Sequence, residues 1–334
     1  MKKKLTIMGS AVLLAAGILA GCGSDNASTS ADQKEKKVVI GYFPNIDHAP
    51  AMVAKEEGLY EKELGKDVKV EYKTFPDGGA FMTALKTGDI DAGLVGPGPV
   101  MNNFTNGADV KILAGASSGG TAIVASKKSG VTKVEDFKGK TFITPGVGCT
   151  HDVQMETFLQ DFGISSARIG GTLKHVTGNP AQYAGMFESG KVDLAAVPEP
   201  WATQLVKDTG AKVIVDSTKI SYGQTLPNTI LVTSGKKIQD DKDVIAKIVK
   251  AQEEAINFIE KNPEKAKEIT IKSINDITKQ QLDKDVVDQA WKNIHFTSDV
   301  NKDVIQEFAN SSVELKFLKE KPDFAALIDT EFID

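Results

Sequence analysis

Arginine is almost missing from this chain. Of its 40 basic residues only Arg168 is an arginine, so any function built on a buried, bidentate guanidinium fork has a single candidate. That residue follows Ser165-Ser166-Ala167, away from the strand exits, where a surface role is expected. Cysteine is as scarce, with Cys22 and Cys149 the two in 334 residues. If Cys22 is modified no intramolecular disulfide is possible, and the fold must be held by its cores. Positive charge is not in excess either. The 40 basic against 45 acidic residues give a net charge of −5, without the basic face that nucleic acid requires. The N-terminal apolar run from Leu5 to Ala20 is too short, and too abruptly ended, for a membrane span.

What is present begins with a targeting segment. Three lysines at positions 2 to 4 precede that apolar run, which closes on Leu19-Ala20-Gly21-Cys22. This ending resembles the bacterial lipobox, in which cleavage falls before the cysteine and a diacylglyceryl group is attached to its thiol. Residues 1–21 are then a signal peptide, Cys22 carries lipid, and the protein sits on the extracytoplasmic face of the cell membrane. Residues 22–37 form a polar tether with nothing to bury and are expected to be disordered. With 41% hydrophobic and 25% charged residues, the remainder is long enough for two domains with their own cores.

The organising stretch is Gly88 to Pro99, GDIDAGLVGPGP, because most of it returns 102 positions later as GKVDLAAVPEPW, Gly190 to Trp201. In both copies a glycine ends a helical run, an apolar strand with an Asp near its start follows, and a Pro-containing turn closes it. Upstream, Phe81, Ala84 and Leu85 fall opposite Tyr183, Met186 and Phe187, the i, i+3, i+4 stripe of a buried helix face. Further upstream, VVIGYFPNIDHAPAMVAKEEGL and KTFITPGVGCTHDVQMETFLQDFGI each read as strand, polar loop with a His, and helix. Gly58 and Gly163 stand where helix C-caps belong. The chain therefore reads as two copies of a strand-helix-strand-helix-strand unit, and two such lobes face to face make a cleft.

Taken in order, Val38–Phe43 is a buried strand and Pro44–His48 its exit loop, followed by a helix from Ala49 to Glu57 with Pro50 in its first turn. Val68–Tyr72 alternates as a strand, and Ala80–Lys86 is a helix. The Gly-Pro-Gly-Pro turn after Leu94-Val95 leads to a helix from about Val100. Strands are expected at Val110–Ala114 and Thr121–Ser126, with a small polar loop between them. The second lobe follows, and Pro227–Val232 returns to the first. The resulting division is 38–122 for lobe 1, 123–228 for lobe 2 and 229–334 for the return and a tail of charged amphipathic helices. Trp291, Phe308, Phe317, Leu318, Phe324 and Phe332 are its expected anchors against lobe 1.

In open α/β sheets, ligands sit beyond the carboxyl ends of the strands, where helix N-termini present unpaired N–H groups and attract anions. The candidate turns are Gly78-Gly79, Gly96-Pro97-Gly98, Gly119-Gly120-Thr121 and Gly146-Val147-Gly148-Cys149-Thr150. Glu199 and Trp201 stand at another strand exit, and Asn45 and His48 in the first exit loop are possible donors. A small oxyanion between the lobes is the expected guest. His48 and His151 occupy similar places in the two copies, but no third ligand is spaced to join them and no metal centre is expected. Nor does Cys149 pair with His151 as nucleophile and base.

The lipobox, the paired repeat and the run PEPWAT at Pro198–Thr203 resemble a substrate-binding lipoprotein of an ABC importer. The resemblance is to the nitrate, sulfonate and taurine group, and within it to the aliphatic-sulfonate binding proteins. It rests on GYFPNIDHAPAMVAKEEGLY, FPDGGAFMTALKTGDIDAGLVGPGPV, GGTAIVAS and FESGKVDLAAVPEPWAT. It implies an α/β, two-lobed periplasmic-binding-protein-like (type II) fold with a C-terminal helical segment. It also implies no enzymatic activity and no cofactor, a sulfonate or taurine-like anion as ligand, a monomer, and delivery to a permease and ATPase complex. Ligand contacts carry over to Asn45, Gly78, Gly79, Gly96, Thr121, Gly146, Gly148, Thr150, Glu199 and Trp201. The lack of an Arg at any strand exit favours sulfonate over an amino acid, while nitrate and a thiamine-precursor pyrimidine remain open as ligands. A pyrimidine-forming enzyme of the same fold is a further alternative, though its Cys-rich, iron-linked motif is missing here.

Overall fold

The computed structural model describes residues 36–333. The signal segment, Cys22 and the tether as far as residue 35 lie outside the described residues. The first sheet is built from β1 (Lys36–Tyr42), β2 (Val68–Thr74), β3 (Ala92–Val95) and β4 (Lys111–Gly119). Their connections are α1 (Ala49–Glu56), α2 (Leu59–Leu64), α3 (Gly78–Thr87) and α4 (Pro97–Thr105). The chain then enters a second sheet through β5 (Thr121–Ala125), β6 (Thr141–Thr144), β7 (Lys174–Thr177), β8 (Leu194–Pro198) and β9 (Lys212–Val215). Here α5 (Thr150–Gln160), α6 (Tyr183–Glu188) and α7 (Trp201–Thr209) are the connecting helices. β10 (Pro227–Thr233) returns to the first sheet and leads into α8 (Gly235–Asp240), α9 (Lys242–Lys261), α10 (Pro263–Thr278) and α11 (Lys284–Trp291). The chain closes with β11 (Ile294–Phe296), α12 (Lys302–Glu314) and α13 (Phe324–Leu327).

The strand orders are β11-β4-β10-β3-β1-β2 and β7-β6-β8-β5-β9. Within each, three parallel strands run second, first, third, and the next neighbour is an antiparallel strand that has just crossed from the other sheet. The duplication holds to the residue. Ile40 and Gly41 of β1 face Ala92 and Gly93 of β3, and Phe142 and Ile143 of β6 face Leu194 and Ala195 of β8. Each of these positions is displaced by the 102 residues read from the sequence. The repeated Asp has one task in both copies: Asp91 Oδ2 accepts the Val39 N–H at 2.8 Å, and Asp193 Oδ2 accepts the Thr141 N–H at 2.9 Å. Gly88 and Gly190 end α3 and α6 in left-handed conformation, with φ of 76° and 67°. The following amides return to Ala84 O and Met186 O at 2.8 and 3.1 Å, which completes the same helix stop twice.

Three expectations are corrected. β4 runs on through Ser117 and Ser118 to Gly119, and both serines are buried, so the polar loop expected there is strand. Small residues read as a break because they carry no apolar period, yet here they pair with β10 and β11. The Gly-Pro-Gly-Pro run is the first turn of α4, with Pro97 at its opening position, where a missing N–H costs nothing. The chain leaves the first sheet at Gly120, so Thr121 and Ala122 pair with β8 rather than ending lobe 1, and Pro227 and Asn228 already belong to β10.

The helical tail packs where its aromatic residues suggested. Phe308 and Leu318 are buried with Val39 and Val95 of the first sheet and Phe81 of α3, and Phe317 and Phe324 lean on the same cluster. α9 lies on α1 and α2, while α11 touches α7 and α12 touches both α4 and α5. The tail therefore braces both lobes.

Candidate functional site

A cleft open to solvent lies at the carboxyl ends of the parallel strands. The first lobe lines it with the loop after β1, Phe43 to His48 without the inward-turned Ile46, and with Phe75 to Gly78 after β2. Val95, Gly96, Pro99 and Asn228 add its floor. From the second lobe come Pro145, Cys149, Thr150 and His151 after β6, and Asn179 and Pro180 after β7. Phe43 and Phe75, with ring centroids 6.3 Å apart, form an aromatic wall. The lobes meet around the cavity through Ile46 N–H to Glu199 O at 3.0 Å and Gly98 N–H to Thr150 Oγ1 at 3.3 Å.

Two hydrogen-bond chains decide which polar atoms face a ligand. The indole of Trp201, which can only donate, gives its Nε1–H to Asn45 Oδ1 at 2.8 Å. Asn45 is left with its amide nitrogen, a donor, for the cleft. The second chain begins at Ser221 O, which takes the Nε2–H of Gln154 at 3.3 Å. Gln154 Oε1 therefore accepts from Thr121 Oγ1 at 2.8 Å, and Thr121 Oγ1 in turn accepts from Asn228 Nδ2 at 2.9 Å. The same nitrogen donates to Gly119 O at 2.6 Å. A carbonyl cannot donate, so Asn228 cannot be turned round. Its Oδ1 is a buried acceptor with no partner in the protein.

The charges in this cleft are few and muted. Among the described residues no lysine or arginine lines it. Burial pushes the Asp47 carboxyl up to about 7, with the Thr229 hydroxyl on Oδ2 opposing the rise, and its Oδ1 has no partner. Burial brings His48 down to about 3, helped by the neighbouring His151, and brings His151 itself down to about 4. Both imidazoles are thus neutral near pH 7, and His48 Nδ1 and His151 Nε2 are without partners. Burial also drives the Cys149 thiol up to about 12, which removes it as a nucleophile.

The helix starts differ in what they leave free. Asp77 caps α3 with its carboxylate, accepting the Ala80 N–H at 2.9 Å, so a negative group already occupies that end. At α4 two of the first three residues are prolines without an N–H, and Gly98 spends its own on Thr150. α5 has no side-chain cap, so its first amides, from Thr150 onward, have no intrahelical partner. Of these three helix starts, α5 is the one left as an anion-attracting end.

A match to the NMT1-like family spans residues 31–274. The chain belongs to the NMT1-like family. A Bacillus subtilis protein named for aliphatic sulfonate binding is 27% identical over the whole of this chain and 96% of its own length. The taurine-binding periplasmic protein of Escherichia coli is 27% identical over 55% of this chain and 54% of its own. Among solved structures, the alkanesulfonate-binding protein of Xanthomonas axonopodis pv. citri, bound to MOPS, superposes with a TM-score of 0.75 at 20% identity. It covers 88% of this chain and 98% of that one. The nitrate-binding protein of Synechocystis gives a TM-score of 0.72 at 17% identity, over 90% and 87% of the two chains. The fold is that of the two-lobed periplasmic binding proteins.

Within this NMT1-like chain, Asn45, His48, Gly78, Gly96, Cys149 and Thr150 of the expected contacts line the cavity. Gly79, Pro97, Gly146 and Gly148 lie beside it without lining it. Gly120 is spent, its N–H on Asn293 O at 2.8 Å and its O on the Glu199 N–H at 3.0 Å. Thr121 and Trp201 lie behind the wall, each orienting an asparagine that does line it. Glu199 is buried away from the cavity, where it takes the N–H and hydroxyl of Thr203, both at 3.0 Å, and the Asn293 amide at 2.9 Å. It caps α7 and anchors the tail. Asp47 and Asn228 also line the cavity without having been singled out: Asp47 fell within the exit loop Pro44–His48, and Asn228 lies in an apolar return strand with no local signal of function.

Proposed function

We propose that this protein is the extracytoplasmic solute-binding component of an ABC importer. It is lipid-anchored through Cys22 and hands a small organic solute from its cleft to a permease and ATPase complex. It is a binding protein and not an enzyme, in keeping with the names of its relatives. Among the described residues no helix is long and apolar enough to cross a membrane. The solute is an amine-bearing organic oxyanion of the taurine kind. One observation carries that choice: the fixed orientation of Asn228, whose buried Oδ1 has no partner in the protein and is matched by a ligand that donates but not by one that cannot. A bare alkanesulfonate or nitrate has no donor at neutral pH. Asp47 Oδ1 supports the same end of the ligand, and the uncapped start of α5 supports the oxyanion.

Calorimetric titration of the full chain with taurine, ethanesulfonate and nitrate tests this reading. Taurine binds, ethanesulfonate at least about 30-fold more weakly, and nitrate not at all, the first step corresponding to about 2 kcal/mol for an unsatisfied buried acceptor. Equal affinity for taurine and ethanesulfonate would overturn the ligand class. A second reading, an aminopyrimidine, is favoured by the Phe43–Phe75 wall and the lack of a cation. Tighter binding of such a heterocycle than of taurine would select it.

A further inference from the structure

We propose that Asp152, Glu156 and His175 bind a single divalent transition-metal ion of the zinc class inside the second lobe. This site is separate from the solute cleft and does not depend on which solute the cleft takes. Asp152 and Glu156 stand four residues apart on α5 and so share one face, while His175 comes from β7. One ligand atom from each of the three lies within 4.8 Å of the others.

What distinguishes the group from a pair of buried acids is how each side chain is held. Asp152 Oδ2 accepts the Gly148 N–H at 2.8 Å, and Glu156 Oε2 accepts Ser166 Oγ–H at 2.9 Å and Arg168 at 3.0 Å. The second oxygen of each carboxylate, Asp152 Oδ1 and Glu156 Oε1, is buried without a partner. His175 is nine-tenths buried, with 9% of its side chain exposed, and stacks on Phe142 at 4.3 Å. Thr144 Oγ1 lies 3.1 Å from Gly146 O and 2.7 Å from His175 Nε2; with its one proton on the carbonyl, which can only accept, the ring nitrogen is the donor to Oγ1. The lone pair is thereby left on Nδ1, which lies 3.7 Å from Asp152 Oδ2. A bare ring nitrogen and a carboxylate oxygen at that distance have no hydrogen bond between them, and a cation joining them removes the repulsion.

The pattern is that of a metal centre: each ligand is oriented by an outer hydrogen bond that leaves one donor atom free. One imidazole and two carboxylates suit zinc, with a fourth position for water. An imidazole nitrogen disfavours magnesium and calcium, which take oxygen. Because Asp152 also holds Gly148, the ion would stiffen the loop that leads into the cleft.

The test uses the full chain, stripped with chelator, dialysed against buffered zinc chloride and assayed for bound metal and melting temperature. One zinc per chain is expected, with a raised melting temperature and no effect of magnesium. The double variant His48→Ala/His151→Ala, which removes the other paired imidazoles, retains that zinc. His175→Gln weakens binding at least 30-fold, and Glu156→Gln serves instead should circular dichroism show the first variant unfolded. The proposal is overturned by a stripped protein that takes up no zinc, by zinc held equally well in the His175 or Glu156 variant, or by zinc lost with the cleft histidines.

Discussion

The loops after β1 and after β6 are copies of one design, and each buries an aspartate beside a histidine. Asp47 precedes His48, lines the cleft and keeps one oxygen unpartnered there. Asp152 follows His151 but is turned away from the cleft, onto Gly148 and toward Glu156 and His175. In the first loop the Asp sits in the short 3-10 turn Ile46–His48 before α1 begins, whereas in the second it is inside the first turn of α5. A small shift relative to the helix start thus sends one carboxylate to the cleft and the other to the interior. Duplication supplied the scaffold, and local phase assigned the roles.

The largest way to break that contrast is Asp47→Asn. The near-isosteric amide keeps an acceptor for Thr229 but turns a donor toward the ligand's donor, so taurine binding falls at least 100-fold, about 3 kcal/mol. The same variant is more stable than wild type without ligand at pH 8. Burial raises Asp47 from 3.8 to about 7, so wild-type stability declines as pH climbs through that window, by on the order of 4 kcal/mol at most. Denaturant melts of both proteins at pH 5 and pH 8 measure it, and curves that stay parallel would refute the shift. Binding runs the other way. A cationic amine pairs with ionised Asp47, so affinity drops about tenfold for each pH unit below about 7 and is flat above. Titration between pH 5.5 and 8 reads this directly.

The next prediction compares the two sheets at one register position. Gly93 of β3 and Ala195 of β8 are equivalents, but a Cβ on Gly93 would lie 2.2 Å from Gly41 O, where the second lobe carries Ile143. Gly93→Ala should therefore cost about 3 kcal/mol of stability by overpacking, while Ala195→Gly costs about 1 kcal/mol. Chemical denaturation ranks the pair, and an equal cost would mean that the two sheets pack alike.

Smaller effects sharpen the roles behind the cleft wall. Trp201→Phe keeps most of the ring but lets Asn45 rotate, weakening ligand binding about tenfold, or about 1.4 kcal/mol. Thr121→Val cuts the chain from Gln154 to Asn228, yet Gly119 O still holds the amide, so the loss is about 1 kcal/mol. Binding by Thr121→Val as weak as by Asp47→Asn would place Thr121 in contact with the ligand instead.

Much of this molecule is legible in its sequence. Periodicity is local, so the 102-residue repeat, the helix stops at Gly88 and Gly190 and the strand carrying each Asp could be found by spacing alone. Glycine-rich turns pointed to Gly78, Gly96 and Thr150 because backbone at strand ends carries its signal in neighbouring residues. Gly120, Thr121, Glu199 and Trp201 were drawn to the same place by proximity in sequence, although each spends its polar atoms on the protein. Arg168 does lie at the surface, yet three-quarters of its side chain is covered and it donates to Glu156 and Leu315 O while stacking on Phe317.

The amino-acid order by itself thus determined two duplicated α/β lobes, a cleft at their strand ends and a helical brace. Tertiary structure alone decided which polar atoms that cleft presents. Asn228 faces it as an acceptor because Ser221, Gln154, Thr121 and Gly119, brought together from both lobes, use up every other hydrogen-bonding choice. The sign of a side-chain amide is set by partners distant in sequence, and no spacing rule reaches that far.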